Sequence, residues 1–354
     1  MTRDHTVAVE KSEAWLKENV KRYAFKKLER EIIKTGACVE CGSCVEGCPV
    51  DALTGEYVEG KYTPTLTGKC SACGICYAMC PRTFFIEDVN VGEYLSLWKV
   101  RSLGDHRRQD GGAVTAILSH MLDSGAIEGA VVVGHSDKPW MPKAKLVKDK
   151  EQILQSGGTM YTHAAIVQEM LRGFKEGLSS LAVVGTACNI EAVNKMQTHP
   201  AGLFQVDRTA KIFKISLFCM ESFDYEKLKE FLMIEGIDIE KVDRFAISKG
   251  QFNVTVGDDE KSWPVADLNA IAASSCSYCH DLTGMNSDIS CGNIGTDEGF
   301  TTVIVRTKEG EKVFKEVVKA NLVEAEEIDE SAFAAVVNTA RSKRSKLYKL
   351  DPLH

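Results

Sequence analysis

The sequence predicts a mixed fold, α+β in its first part and α/β in its larger second part. Three observations indicate this: apolar residues at helical spacing over 9–34, two similar cysteine-rich units within 37–95, and β-branched runs alternating with helical stripes from residue 96 onward. We expect three parts: an N-terminal helical extension (1–35), a small cysteine-rich domain (36–95) and an α/β domain (96–354).

The composition is that of an ordinary globular protein, with 44% apolar residues, 26% charged residues and a net charge of -7. The longest aliphatic runs are far too short to span a bilayer, and the first residues form no apolar signal region. The sequence therefore predicts a cytoplasmic protein. The negative charge gives no general field for nucleic acid.

The first predicted helix covers 9–34. Its apolar residues recur near helical spacing among many charges, and Gly36 is placed to end it. They are Trp15, Val20, Tyr23, Leu28 and Ile32. We expect this helix to pack on its own protein.

The 13 cysteines are an odd number in a chain without a secretory signal, which favours metal ligation over a disulfide framework. Eight of them form two C-x2-C-x2-C-x3-C-P units, an internal repeat whose first copy begins at Cys38 and whose second begins at Cys70. This spacing is typical of a bacterial-type two-cluster 4Fe-4S ferredoxin domain, in which the fourth cysteine of each unit ligates the other cluster. Structural zinc, the alternative, favours separated C-x2-C pairs. The predicted ligand sets are Cys38, Cys41, Cys44 and Cys80 for one cluster, and Cys70, Cys73, Cys76 and Cys48 for the other.

The larger domain has the sequence pattern of an α/β fold. Uninterrupted runs at 129–134 and 181–185 indicate strands buried on both faces, as in a parallel sheet. Helical stripes run from Val114 to Leu122 and from Val167 to Phe174. Further strands are predicted at 211–219, 244–248, 252–256 and 301–307.

Four other cysteines suggest a third metal site. Cys188 follows one predicted strand and Cys219 ends another, and the carboxyl ends of parallel strands are where α/β folds collect their sites. Both can converge on the pair Cys276 and Cys279. Spacing alone supports isolated buried thiols equally well. Cys291 is expected to be such a packed thiol.

Several motifs together resemble one family. They are GGAVTAIL, GAVVVG, GGTMYTHAAI, VVGTACNIEAVNKMQ, LFCME, CSYCHD and SDISCGNIGTDEGFTTVIVRT, spread over about 97–320. The sequence is similar to the coenzyme F420 hydrogenase/dehydrogenase beta-subunit family, whose members bind FAD and oxidise or reduce F420. The resemblance implies a flavin-binding α/β domain with a third 4Fe-4S cluster held by Cys188, Cys219, Cys276 and Cys279. Ala187 stands where relatives commonly have proline.

Within this family, the fused ferredoxin unit resembles the F-subunit type of F420H2 dehydrogenases. That resemblance implies hydride transfer from F420H2 to FAD and single-electron transfer through three clusters to ferredoxin or to subunits of a larger redox complex. It also implies peripheral attachment on the cytoplasmic face of a membrane complex. The alternatives are a ferredoxin:F420 oxidoreductase, the F420-linked beta subunit of a formate dehydrogenase, hydrogenase or heterodisulfide reductase complex, and a flavin-free electron relay.

The family also singles out glycine-rich loops as FAD contacts, because FAD's diphosphate favours backbone N–H groups at a helix start. These are Gly111, Gly112 and Ala113, then Gly157, Gly158 and Thr159, with Gly185 and Thr186 near the flavin. On their own, such glycine pairs are often mere turns. No catalytic acid or base is predicted, because hydride transfer requires only aligned rings. Neither buried run is followed by the G-x-G-x-x-G pattern typical of NAD-binding proteins.

Overall fold

The computed structural model describes residues 24–36, 38, 40, 42–58, 61–78, 80, 90–198 and 210–346. The chain divides into two compact units, 1–90 with 344–354, and 91–343. The larger unit thus begins a few residues before the predicted boundary, because Leu95 N donates to Val305 O at 2.7 Å and Val91 is buried in a cluster with Leu282. No helix of the described segments is long and apolar enough to cross a membrane.

In the first unit, a short α-helix, α1 (Phe25–Leu28), continues as a π-helical turn (Glu29–Ile33). Phe25, Leu28 and Ile32 are each 1% exposed and pack among the cysteines of the small domain. The expected packing of this helix on its own protein is confirmed from residue 24 onward; the part of the prediction over 9–23 lies outside the described residues.

The sequence repeat of this unit is also a repeat of backbone geometry. Glu40 and Ala72 have φ of 58° and 57°, and Gly42 and Gly74 have 73° and 85°. Each pair occupies matching positions in the two units, as do the helices α2 (Ser43–Glu46) and α3 (Ile75–Ala78) that follow. Left-handed residues next to a helix start turn successive N–H groups towards one point, a geometry found at many iron–sulfur sites. Between the repeats lies an antiparallel hairpin of β1 (Leu53–Val58) and β2 (Lys61–Leu66).

The larger unit is built on a mixed sheet with eight strands among the described residues. They are β3 (Ser96–Ser102), β4 (Gly129–His135), β5 (Pro142–Val147), β6 (Ser180–Thr186), β7 (Lys211–Leu217), β11 (Ile289–Gly292), β12 (Thr301–Val305) and β13 (Val323–Glu327). Their order across the sheet is β13-β3-β12-β11-β7-β6-β4-β5. The four central strands β11, β7, β6 and β4 are parallel to one another, and the outer pairings are antiparallel. The predicted α/β architecture with buried parallel strands is confirmed.

Helices cover both faces of this sheet, and the apolar runs supply both cores. Along β4, Ala130 and Val132 belong to one core while Val131 belongs to the core on the opposite face. Along β6, Ala182 and Val183 are divided in the same way. The helices are α4 (Ala113–Asp123), α5 (Lys150–Gln155), α6 (Ile166–Lys175), α7 (Ala187–Thr198), α9 (Lys308–Lys319) and α10 (Glu330–Lys346).

A second core forms around a three-stranded antiparallel sheet of β8 (Arg244–Ser248), β9 (Gln251–Val256) and β10 (Asp259–Pro264). Helix α8 (Tyr225–Ile234) packs on it through Leu228 and Leu232. The strands predicted at 244–248 and 252–256 are therefore confirmed, although they do not belong to the main sheet.

Candidate redox centre

Four cysteines of the first unit line one small pocket. They are Cys48, Cys70, Cys73 and Cys76. Backbone N–H groups point at their sulfurs: Ala52 N lies 3.3 Å from Cys48 Sγ, and Ala72 N lies 3.3 Å from Cys70 Sγ. The spacing predicts these four cysteines as the ligands of one cluster, and the assignment stays a prediction.

The other predicted set is described in part. Cys38, Cys44 and Cys80 belong to the same cluster of packed residues, and Cys41 lies outside the described residues. Glu40 N lies 3.4 Å from Cys38 Sγ, the same contact that Ala72 makes with Cys70 in the second unit. Across the described segments, no three His, Cys, Asp or Glu side chains converge closely enough to hold a single metal ion.

In the larger unit, Cys188 and Cys219 emerge at the same edge of the sheet. Strands β6 and β7 are parallel neighbours, and Thr186 pairs with Leu217 at their carboxyl ends. Each cysteine follows two residues later, Cys188 in the first turn of α7 and Cys219 in the chain leaving β7. The register of two parallel strands thus brings together thiols that are well separated in the sequence.

Cys276 and Cys279 return to this edge from a distant part of the chain. Cys276 lies in a 3₁₀ turn (Ser274–Tyr278), and Ser222 N lies 3.3 Å from its sulfur. Cys219 N donates to Leu282 O at 2.8 Å, which ties the chain after Cys279 to the same strand end. The pKa of the Cys219 thiol is raised to about 12, mainly by burial, with Lys343 opposing the shift and Cys276, Cys188 and Cys279 adding to it. These three thiols therefore lie within electrostatic range of Cys219.

A tight turn fixes the end of this loop. The carboxylate of Asp281 accepts hydrogen bonds from the backbone N–H groups of Thr283, Gly284 and Met285 at 2.9, 2.7 and 2.8 Å. Asp288 has a similar role, accepting from Lys214 N at 2.8 Å. Both carboxylates are thus used in shaping the backbone.

Cys291 does not reach the cysteine site. It lies on β11 in the main core, 2% exposed, and burial raises the pKa of its thiol to about 12. This is the packed position expected of it.

A second pocket, of about 590 Å³, contains Gly157, Gly158 and Thr159. Three arginines line it with them: Arg107, Arg108 and Arg244. Arg108 donates to Ser102 O at 3.0 Å and Arg244 to Gln109 O at 2.9 Å, so two of the guanidinium groups are fixed by backbone carbonyls. Burial lowers the pKa of the neighbouring His135, and the charges of Arg107 and Lys145 lower it further. Asp243 also lines the pocket, so three guanidinium groups face one carboxylate, and the excess of positive charge suits an anionic group.

The two predicted glycine loops differ in position. As predicted, Gly112 directly precedes α4, and its φ is 75°. The Ala113 side chain, however, is 1% exposed and faces the core. Gly111, Gly112 and Ala113 do not line the arginine pocket.

The expectation that Gly157, Gly158 and Thr159 begin a helix is wrong. They follow the end of α5, whose C-cap is Ser156, and α6 begins only at Ile166. Gly158 has φ of 112°, which leads the chain away from helical geometry. Arginine side chains, not a helix N-terminus, supply the positive charge here.

One short segment, 159–163, leads from the arginine pocket to the cysteine site. Thr159 lines the pocket, Tyr161 O accepts from Phe223 N at 2.7 Å, and His163 Nε2 lies 3.9 Å from Cys276 Sγ. Four residue steps of extended chain span at most about 14 Å. Thr186 flanks the cysteine site from the sheet edge, with its hydroxyl 3.2 Å from Cys188 Sγ, and Gly185 precedes it on β6.

Three family models match the chain. The N-terminal and C-terminal models of the coenzyme F420 hydrogenase/dehydrogenase beta subunit match residues 99–172 and 178–331, and a 4Fe-4S dicluster domain model matches 30–81. The F subunit of the F(420)H(2) dehydrogenase from Methanosarcina mazei is 30% identical over 80% of this chain and 83% of its own length.

Two further similarities extend the comparison. The coenzyme F420-dependent sulfite reductase of Methanocaldococcus jannaschii is 33% identical over 84% of this chain, which spans about half (49%) of that longer protein. A chain in the structure of the F420-reducing [NiFe] hydrogenase complex from Methanosarcina barkeri superposes with a TM-score of 0.70 at 30% identity, covering 74% of this chain and 93% of that one.

Proposed function

The chain belongs to the coenzyme F420 hydrogenase/dehydrogenase beta-subunit family, and we propose that it oxidises F420H2 by hydride transfer to FAD and passes single electrons through three 4Fe-4S clusters to a partner. The observation that carries this proposal is the convergence of Cys188, Cys219, Cys276 and Cys279 beside a segment that leads to a positive pocket.

The ligand atoms that these residues offer fit iron–sulfur clusters. Each of the three proposed sites offers thiolates, and N–H groups at Ala52, Ala72 and Ser222 point at cysteine sulfurs, as is typical of cluster ligands. We assign one cluster to Cys70, Cys73, Cys76 and Cys48, one to Cys38, Cys41, Cys44 and Cys80, and the third to Cys188, Cys219, Cys276 and Cys279.

The arginine pocket fits the diphosphate of FAD. Arg107, Arg108 and Arg244 supply charge, and the loop at Gly157 and Gly158 allows close approach of an anion to the backbone. The segment 159–163 then sets a distance of at most about 14 Å from Thr159 to His163, beside Cys276. We place the flavin ring at this end, near Gly185 and Thr186.

The chain's residues serve alignment and electron transfer rather than proton transfer. When bound, FAD accepts the two electrons of F420H2 as a hydride and releases them singly, which clusters require because each takes one electron. Cys188, Cys219, Cys276 and Cys279 would hold the third cluster at the sheet edge, where Cys188 is exposed and the other three are half-buried.

The donor and the acceptor rest on different support. The names of both relatives include coenzyme F420, but one relative is called a sulfite reductase and the other a dehydrogenase subunit. We therefore propose F420H2 as the donor and, as the partner, ferredoxin or subunits of a larger redox complex, with peripheral attachment where that complex lies in a membrane.

The proposal predicts cofactor content. Anaerobically prepared protein should contain about twelve irons and one FAD per chain, four irons for each four-cysteine set. Iron analysis and flavin absorbance on the same sample check this. A reproducible value near eight irons with flavin present would contradict the third cluster, and absence of flavin would favour a simple electron relay.

The proposal also predicts donor selectivity. F420H2 mixed anaerobically with the protein should bleach the FAD absorbance and support reduction of a viologen, whereas NADH and NADPH should do little, because no dinucleotide fingerprint follows β4 or β6. Flavin that NADH reduces and F420H2 leaves oxidised would overturn the donor.

A further inference from the structure

A lysine ammonium is buried beside the third cysteine site. Lys343, on α10, is 2% exposed and is among the largest fully buried side chains of the described residues. Lysines are almost never so deeply buried unless their charge is compensated. Nothing in the sequence marks it, because it stands in a run of basic and polar residues, SKRSK.

The ammonium joins the two chain segments that carry the cysteines. Lys343 Nζ donates hydrogen bonds to Cys219 O and to Asp281 O, the latter at 2.8 Å. Asp281 lies two residues after Cys279, so one cation holds the backbone of two ligand loops. Both acceptors are neutral carbonyls, and the charge is not neutralised by the groups to which it is bonded.

The charge of Lys343 acts directly on the cysteine site. Its ammonium nitrogen donates a hydrogen bond to the backbone carbonyl of Cys219, one of the four proposed ligands. A thiolate-ligated cluster becomes more negative by one unit when reduced, and net charge is one of the factors that set cluster potential. A cation fixed in a buried site stabilises the more negative state strongly, because the effective dielectric constant is well below that of water.

We propose that Lys343 is a positioning residue that raises the reduction potential of the cluster at Cys188, Cys219, Cys276 and Cys279. This inference rests on the proposed function, since it requires that cluster. A higher potential favours electron transfer from the flavin to the cluster. The lysine thereby biases the first one-electron step away from the flavin.

The experiment separates charge from loop anchoring. Lys343→Gln keeps two N–H donors without the charge, Lys343→Met removes both, and Lys343→Arg keeps the charge. The control is Lys214→Met on β7, which removes the same charge from a lysine whose Nζ bonds Gln197 instead. The measurement is a redox titration of each cluster followed by electron paramagnetic resonance, with iron content determined on the same samples.

We expect the reduction potential of the third cluster to fall in Lys343→Gln and Lys343→Met. The expected fall is about 59 mV, which for a one-electron couple lowers the ratio of reduced to oxidised cluster about tenfold at a given potential. In Lys343→Arg and Lys214→Met the potential of the third cluster should stay near that of the unmodified protein. The potentials of the two ferredoxin-type clusters should not change in any variant.

Two outcomes would overturn the role of Lys343 alone. One is an unchanged reduction potential of the third cluster in Lys343→Gln, in a sample that contains about twelve irons per chain. The other is loss of four irons from both neutral variants, because the lysine would then hold the loops rather than set the potential. An unmodified protein with about eight irons would instead overturn the proposed function, and the assignment of Lys343 with it.

Discussion

Replacing Cys279 by serine is expected to reduce electron transfer from F420H2 to a viologen by about 100-fold or more, while F420H2 still reduces the flavin. Cys279 belongs to the set that converges on the carboxyl ends of β6 and β7, and its loss should remove the third cluster. Hydride transfer needs only the two rings in contact, so it should survive. Stopped-flow flavin absorbance and steady-state viologen reduction measure the two steps separately.

The matched control is Cys291→Ser. This thiol is buried in the main core, and a hydroxyl placed there costs about 1–3 kcal/mol of unfolding free energy if it finds no hydrogen-bond partner. Iron content and coupling should nevertheless be retained. The opposite pattern, in which Cys291→Ser loses four irons and Cys219→Ser loses none, would refute the ligand set.

Replacing Gly157 by alanine should weaken FAD binding by tenfold or more. A Cβ at this position would lie 1.9 Å from the carbonyl oxygen of Arg107, so the loop or the arginine backbone must shift, and both line the positive pocket. The measurement is flavin retained per chain after gel filtration, with and without added FAD. Iron content should not change, because the cysteine sites are separate from this contact.

Gly177→Ala serves as the control for this substitution. Gly177 has φ of 97° but no atom within 4 Å of an added Cβ, so alanine there costs only backbone strain, about 1–2 kcal/mol. Flavin should remain bound in this variant. Full flavin content in Gly157→Ala would argue against the arginine pocket as the diphosphate site.

Features that depend on neighbours in the chain can be read from the amino-acid sequence alone. Two units of the same spacing produced the same left-handed residues at Glu40 and Ala72 and the same short helices after them. The runs at 129–134 and 181–185 became strands with alternate residues in two cores, because a continuous apolar run has no polar face to expose to water.

Contacts between residues that are distant in the sequence become visible only in the folded chain. Cys276 returns to the strand end that carries Cys219 from a separate part of the chain, and Lys343 reaches Cys219 O from the last described helix. The local sequence pattern predicts that the glycine loop at Gly157 begins a helix. In the structure this loop follows the end of α5, and its neighbours are arginines from other parts of the chain. Spacing fixes local backbone geometry, whereas strand register and the folding of loops across the sheet edge determine which thiols, cations and pockets lie together.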